Sequence, residues 1–349
     1  MSRGRRGRVG AAAIAAIVAA ATNGCTAPPA VDRCPPPASA AIVAAATVSA
    51  APPVAPPPRR RDPGERALDD GAIVALAPAA GIGPSAGILA ATLADPAGSA
   101  TVTLSLVSAP TAYRRPLAFA RLATALGMHV VPATVARQLG AGEIAALLEP
   151  QPEIAALLGG RLRVLADGTV TALLAAPAPG ALLAAWDPAA ARRVEARASY
   201  EVRTWERWAA SPDPAAGEDR GVTRDFVEML VLDYLAANAA RRTVLMAPGR
   251  DALVLDDNRE AFPVAAERVA VDQLLRRLKP IARFPGALLA ALTAFDRERA
   301  REVLAPPGSF EDWLVSPRGL VELDERRAGL LSLIQARVAE RGDAAVLSL

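Results

Sequence analysis

The sequence predicts an α+β protein, β-rich in its first half and mainly helical in its second, carried behind a leader that takes no part in the core. Three observations lead there. Residues 26–66 are so rich in Pro and Ala that they cannot bury enough apolar surface to pack. Between Gly71 and Ser108 short apolar runs alternate with turn residues, the pattern of strands. From Thr223 onward apolar residues recur mostly at helical spacing.

The leader comes first. Arg3, Arg5, Arg6 and Arg8 precede an apolar run from Val9 to Ala21, which is short for a membrane span and suits an export signal. Gly24 and Cys25 close residues 1–25 in a way that resembles a bacterial lipoprotein cleavage site, where Cys25 would be acylated. Cleavage after Ala21, giving a periplasmic or secreted protein, and a merely Ala-rich low-complexity terminus are the alternatives. Residues 26–66, with prolines at 35–37 and 56–58, then read as an extended tether.

Two lobes are expected behind it, residues 67–180 and 181–349. Strands are predicted at Ala72–Leu76, Gly87–Leu93 and Thr101–Val107, the last two turning at DPAGS, 95–99. Gly81, Gly83 and Gly87 lie in the first loop, where backbone N–H groups could approach a phosphate; an ordinary flexible hairpin is the alternative. Residues 113–137 carry a helix face with Ala118, Leu122 and Leu126. Short helices are predicted at Glu143–Glu149 and Glu153–Leu158, and a hairpin over Leu162–Leu174 turning at Asp167-Gly168. Phe226, Met229, Leu230, Leu232 and Leu235 mark a buried helix ending near Asn238, and Leu253–Leu255 a short strand.

Charge and composition exclude several functions. The net charge is +3, with Lys279 the only lysine among 39 basic residues, so no general case for nucleic-acid binding exists. His129 is the only histidine, expected buried or at a strand edge, and Cys25 and Cys34 both precede the packed part. A zinc site of Cys and His cannot be assembled, and a nucleophile–histidine mechanism would have His129 alone to use.

The most informative stretch is Thr223 to Pro263. DYLAANAARR followed by DDNREAFP resembles the pattern D-x-L-x-x-N-x-D-R … hydrophobic-D-N-x-x-A-F. Secretory-pathway (four-jointed-like) protein kinases and type II phosphatidylinositol 4-kinases share it, with HipA-like kinases more distant. Asp233, Leu235, Asn238 and Arg241 match the first half, and Asp257, Asn258, Ala261 and Phe262 the second. Gly127, Val131, Pro132, Thr134 and Val135 match a further block of these families.

The resemblance implies a two-lobed kinase-like fold, a small β-rich lobe followed by a larger helical one, and a site for ATP with Mg or Mn. On it, Asp257 and Asn238 would be metal ligands, and Asn238, Asp257, Asn258, Gly81 and Gly83 would line the nucleotide site. The departures matter more. Ala240 stands where these families carry the catalytic Asp, the third strand carries no lysine, and Pro116 occupies the position of its glutamate partner.

Such losses point to a pseudokinase acting as a binding or scaffolding module, with an unidentified protein partner, the membrane through a lipidated Cys25, and no nucleic acid. An active atypical kinase is the alternative, with Asp233 as base and Arg241 or Arg114 in place of the lysine. A structural envelope lipoprotein without ligand is the other.

Overall fold

The computed structural model describes residues 68–79, 87–95, 98–106, 109, 111–159, 162–176, 192–197, 199–246, 252–256, 258–305 and 312–349. The expected signal with Cys25, the tether with Cys34, the loop glycines Gly81 and Gly83, and Asp257 lie outside the described residues.

A five-stranded antiparallel sheet forms the first lobe. Its strands are β1 (Ala72–Pro78), β2 (Ile88–Asp95), β3 (Gly98–Leu106), β4 (Ala133–Gly140) and β5 (Thr169–Ala176), in the order β1-β2-β3-β5-β4. Asp95 pairs with Gly98, so the predicted hairpin between β2 and β3 is present with a two-residue connection. Side chains alternate across the strands as a half-buried sheet requires: Val102 and Leu104 are buried, Thr101 is exposed. Helices α2 (Ala141–Leu148) and α3 (Pro152–Gly159) place Ile144, Leu148, Ile154 and Leu158 in the core of this sheet.

One expected hairpin is absent. Residues 162–166 form no strand, because β5 finds its partners in β3 and β4, leaving no edge for the preceding segment. The turn survives: Gly168 has φ +78°, and the Asp167 carboxylate accepts from the Thr169 backbone N–H at 3.0 Å.

Helix α1 (Arg114–Ala125) follows β3 in sequence, yet its buried face, Leu117 to Ala120 with Leu122 and Ala123, packs into the core of the helical lobe. That lobe holds α4 (Tyr200–Ala210), α5 (Arg220–Leu235), α6 (Arg268–Leu278), α7 (Leu288–Ala294), α8 (Arg297–Leu304), α9 (Pro317–Arg341) and α10 (Asp343–Val346). A small sheet of β6 (Arg192–Glu195), β7 (Thr243–Met246) and β8 (Leu253–Val254) lies among them. Sequence reading found β8 but neither β6 nor β7. His129, expected buried or at a strand edge, is exposed in the bend before β4.

Helix α5 is buried on nearly every side, its acidic residues Asp225, Glu228 and Asp233 included. Asp219 caps its start, accepting from the Val222 N–H at 3.0 Å, and Arg326 of α9 donates to the Leu235 carbonyl at 2.9 Å at its other end. It stops at Leu235 rather than near Asn238 because Ala237 turns into the left-handed region at φ 52°.

Candidate functional site

Two loops leave this scaffold side by side. The first, residues 236–242, joins α5 to β7; the second, residues 255–262, leaves β8. Their backbones meet where the Phe262 N–H donates to the Ala236 carbonyl at 2.7 Å. Ala237 and Phe262, at φ 52° and 50°, are the only non-glycine residues of positive φ among the described residues, and one lies in each loop. Such conformations persist only where the surroundings over-determine them.

The surroundings here are a buried polar knot. The Asp233 carboxylate, 1% exposed, receives Arg241 on both oxygens, Nε to Oδ2 and Nη2 to Oδ1 at 2.8 Å each, and the Asn238 amide on Oδ1 at 3.1 Å. Arg241 Nη2 also donates to Asn258 Oδ1 at 2.8 Å, and Asn258 Nδ2 to the Leu255 carbonyl at 2.9 Å. The guanidinium lies 5.4 Å over the ring of Phe119, which ties α1 to both loops. Every group in this knot has a partner, which is the condition for a buried charge to be tolerated.

The start of the second loop is pinned as firmly. Leu253 N–H donates to Asp225 Oδ2 at 3.0 Å, and Leu255 N–H to the Val130 carbonyl at 2.8 Å. Asp225 and Glu228 stand one turn apart on α5 beside Arg224. Burial is the main cause that raises both carboxyls above their ordinary values, Glu228 to about 7, with Asp225 adding repulsion. The His129 and Val130 backbone N–H groups pull Glu228 partly back.

The expected site residues therefore divide. Asp233, Asn238, Asn258 and Arg241 are brought together, but as a closed knot rather than an open ligand site. Asp233 does not qualify as a general base: it is buried, its two oxygens are occupied, and no substrate hydroxyl can reach it. Asn258, expected to bind nucleotide, bonds Arg241 and the Leu255 carbonyl, and Asn238, expected to bind nucleotide and metal, donates its amide Nδ2 to Asp233. Arg241 cannot replace the missing lysine from inside the knot. Gly81, Gly83 and Asp257 lie outside the described residues.

The solvent face of the loops is different in kind. Ala240, at the position of the lost catalytic Asp, is exposed, as are Arg242, Asp256, Arg259 and Glu260. Asp256 pairs with Arg193 of β6 at 3.5 Å, and Glu260 with Arg115 of α1 at 3.6 Å. The latter reverses the polarity expected of this helix, which here offers an arginine, beside Pro116, where the resemblance expects a glutamate. Among the described residues no group of three or more His, Cys, Asp or Glu is placed to hold a metal ion. Asp257, the carboxylate that the resemblance implies as a metal ligand, lies outside those residues.

No family model and no curated protein matches the chain. Solved structures do. A Fam20 protein of hydra, determined with sugar, is 16% identical with a TM-score of 0.52, over 80% of this chain and 90% of that one. The Golgi casein kinase with Mn/ADP bound is 15% identical with a TM-score of 0.52, over 80% and 76%. This chain has a kinase-like fold. The helix after the third strand, the loop after α5 and the loop after β8 are where the sequence resemblance would put the ion pair, the base and the metal ligand of protein kinases. Sequence reasoning placed the two loops but missed Phe119 and the Asp225–Glu228 pair. Phe119 had only its place on the helix face to signal it, and the carboxylates only their position inside an apolar helix.

Proposed function

We propose that this protein is an exported kinase-fold protein that does not transfer phosphate and works as a binding or scaffolding module. The observation that carries the reading is the closed state of Asp233: the carboxylate that the sequence offers in place of the acid missing at Ala240 is locked against Arg241. In-line transfer needs a positioned nucleophile, charge neutralisation and, usually, a carboxylate near the attacking oxygen. The strand that would carry the lysine and the helix that would carry its glutamate supply neither. Loss of general-base help alone costs about 10²-fold or more.

Export and a lipid anchor at Cys25 belong to the same reading and rest on the sequence of residues 1–25. No helix among the described residues is long and apolar enough to cross a membrane. Nucleotide with Mn is the first ligand to test, because the Golgi casein kinase neighbour holds Mn/ADP.

The test is incubation with γ-labelled ATP and Mn²⁺ or Mg²⁺, reading transfer to the protein itself and to generic acceptors. The expected result is none above background. Transfer that disappears in Asp257→Ala and is unchanged in Ala240→Asp would instead establish an atypical kinase. A thermal-shift titration separates a binding module from a purely structural envelope protein, since a ligand that binds only the folded state raises its melting temperature.

A further inference from the structure

Away from the knot, the outer side of the first loop forms one wall of a cavity of about 330 Å³. That is the lower end of the range for small-molecule sites. Ala239 supplies the loop's part of the lining, Ala270, Gln273, Leu274 and Arg277 come from α6, Glu206 from α4, and Arg197 from the turn after β6. This cavity draws on residues that neither the knot nor the kinase resemblance uses.

Its chemistry is lopsided. Two guanidinium groups face one carboxylate, so the lining carries net positive charge. Arg277 is held in place: it donates to Glu206 Oε1 at 3.1 Å and to the Ala196 carbonyl at 3.4 Å, and lies 6.0 Å over the Phe226 ring. The side chains of Arg197 and Gln273 make no hydrogen bond or ion pair among the described residues and are left to donate to a ligand. Guanidinium and amide groups lining the same small cavity as the apolar Ala239, Ala270 and Leu274 suit an oxyanion with a short carbon skeleton.

We propose that this cavity binds a small organic oxyanion, its phosphate or carboxylate group held by Arg197, Arg277 and Gln273 and its carbon skeleton against Leu274 and the alanines. Glu206, already engaged by Arg277, disfavours a second anionic group and limits the ligand to one. The cavity lining shares no residue with the knot, so the proposal is tested apart from the reading above.

The experiment is calorimetric titration of the purified full chain with inorganic phosphate, and separately with hexanoate, up to about 10 mM at constant ionic strength. Binding of either probe in the wild type, weakened about tenfold or more in Arg197→Glu, is the expected result. A response to phosphate alone assigns a phosphoryl group, and any response to hexanoate a carboxylate. Arg197 is exposed and its exchange leaves the core untouched, so a folded Arg197→Glu variant that binds as tightly as the wild type overturns the proposal. So does the absence of binding by both probes. Ala270→Trp, which fills the cavity without changing its charge, is expected to abolish binding as well.

Discussion

The inward and outward faces of the same two loops differ in kind. Facing inward, Asp233, Asn238, Arg241 and Asn258 form one set in which each side chain is hydrogen-bonded to another. Facing outward, the position expected to carry an acid is Ala240, and the neighbouring charges form solvent-exposed pairs. The difference teaches that loop shape and loop chemistry are separate properties of this fold. A knot buried beneath a site is held by the cost of leaving any one member alone. Nothing comparable holds a residue whose only partner would be a ligand.

The sharpest way to break that contrast is to open the knot. Arg241→Ala leaves the Asp233 carboxylate buried without its cation and strips Asn258 of a donor. The expected loss is on the order of 3–5 kcal/mol in urea denaturation. The comparison site is Arg283–Glu218, a second fully buried pair at 2.7 Å that also holds the Trp208 and Ser211 carbonyls and borders neither loop. Arg283→Ala should cost a similar amount. A loss below about 1 kcal/mol for Arg241→Ala would show that the knot is not what fixes the loops.

A second probe lies on the same buried helix, at a carboxylate with a poorer partner. Glu228, raised from its ordinary 4.5 to about 7, keeps its proton in the folded chain after the unfolded chain has lost it. The sign follows: the folded state binds more protons between those values, so stability falls as pH rises from about 4.5 through about 7, and stays low above. Glu228→Gln removes the penalty. Chemical denaturation should find the variant more stable than the wild type above pH 7, by up to roughly 3 kcal/mol, with the difference vanishing near the unfolded value. A difference that does not change with pH would mean that Arg224, 3.9 Å away, already pays the desolvation.

The sequence was most readable where periodicity and pattern spoke together. The buried helix from Thr223, the β2–β3 hairpin and the strand at Leu253 all follow from alternation or helical spacing. The short strands β6 and β7 do not, since four residues carry too little alternation and their pairing is settled by tertiary contact. The site was legible as a place but not as a state. The family resemblance brought Asp233, Asn238 and Arg241 together, but whether such a carboxylate faces solvent or a cation depends on which way the loop turns. The left-handed Ala237 decides that, and nothing in an alanine's identity announces positive φ.

Ala237 gives the next prediction, smaller and of opposite sign. A non-glycine residue at φ 52° is strained, and glycine adopts that conformation freely. Ala237→Gly should therefore stabilise the chain by about 0.5–1 kcal/mol, less whatever the freer unfolded chain regains. A thermal melt that moves downward would show that the Ala237 methyl, buried in the core, contributes more by packing than its backbone costs.

The smallest effect belongs to the outward face. Arg193 and Asp256 lie 3.5 Å apart with 40% and 26% of their side chains exposed, so solvent screens their attraction and ordering two side chains offsets most of the remainder. Arg193→Ala is expected to change stability by no more than about 0.5 kcal/mol, less at high salt. Asp256 has a further interaction besides Arg193, so its own replacement mixes two effects and cannot be read alone. A double-mutant cycle of Arg193→Ala with Asp256→Ala isolates the pair. A coupling above about 1 kcal/mol would put this pair on the knot's side of the comparison, and the outward face would then be built for order rather than left to drift.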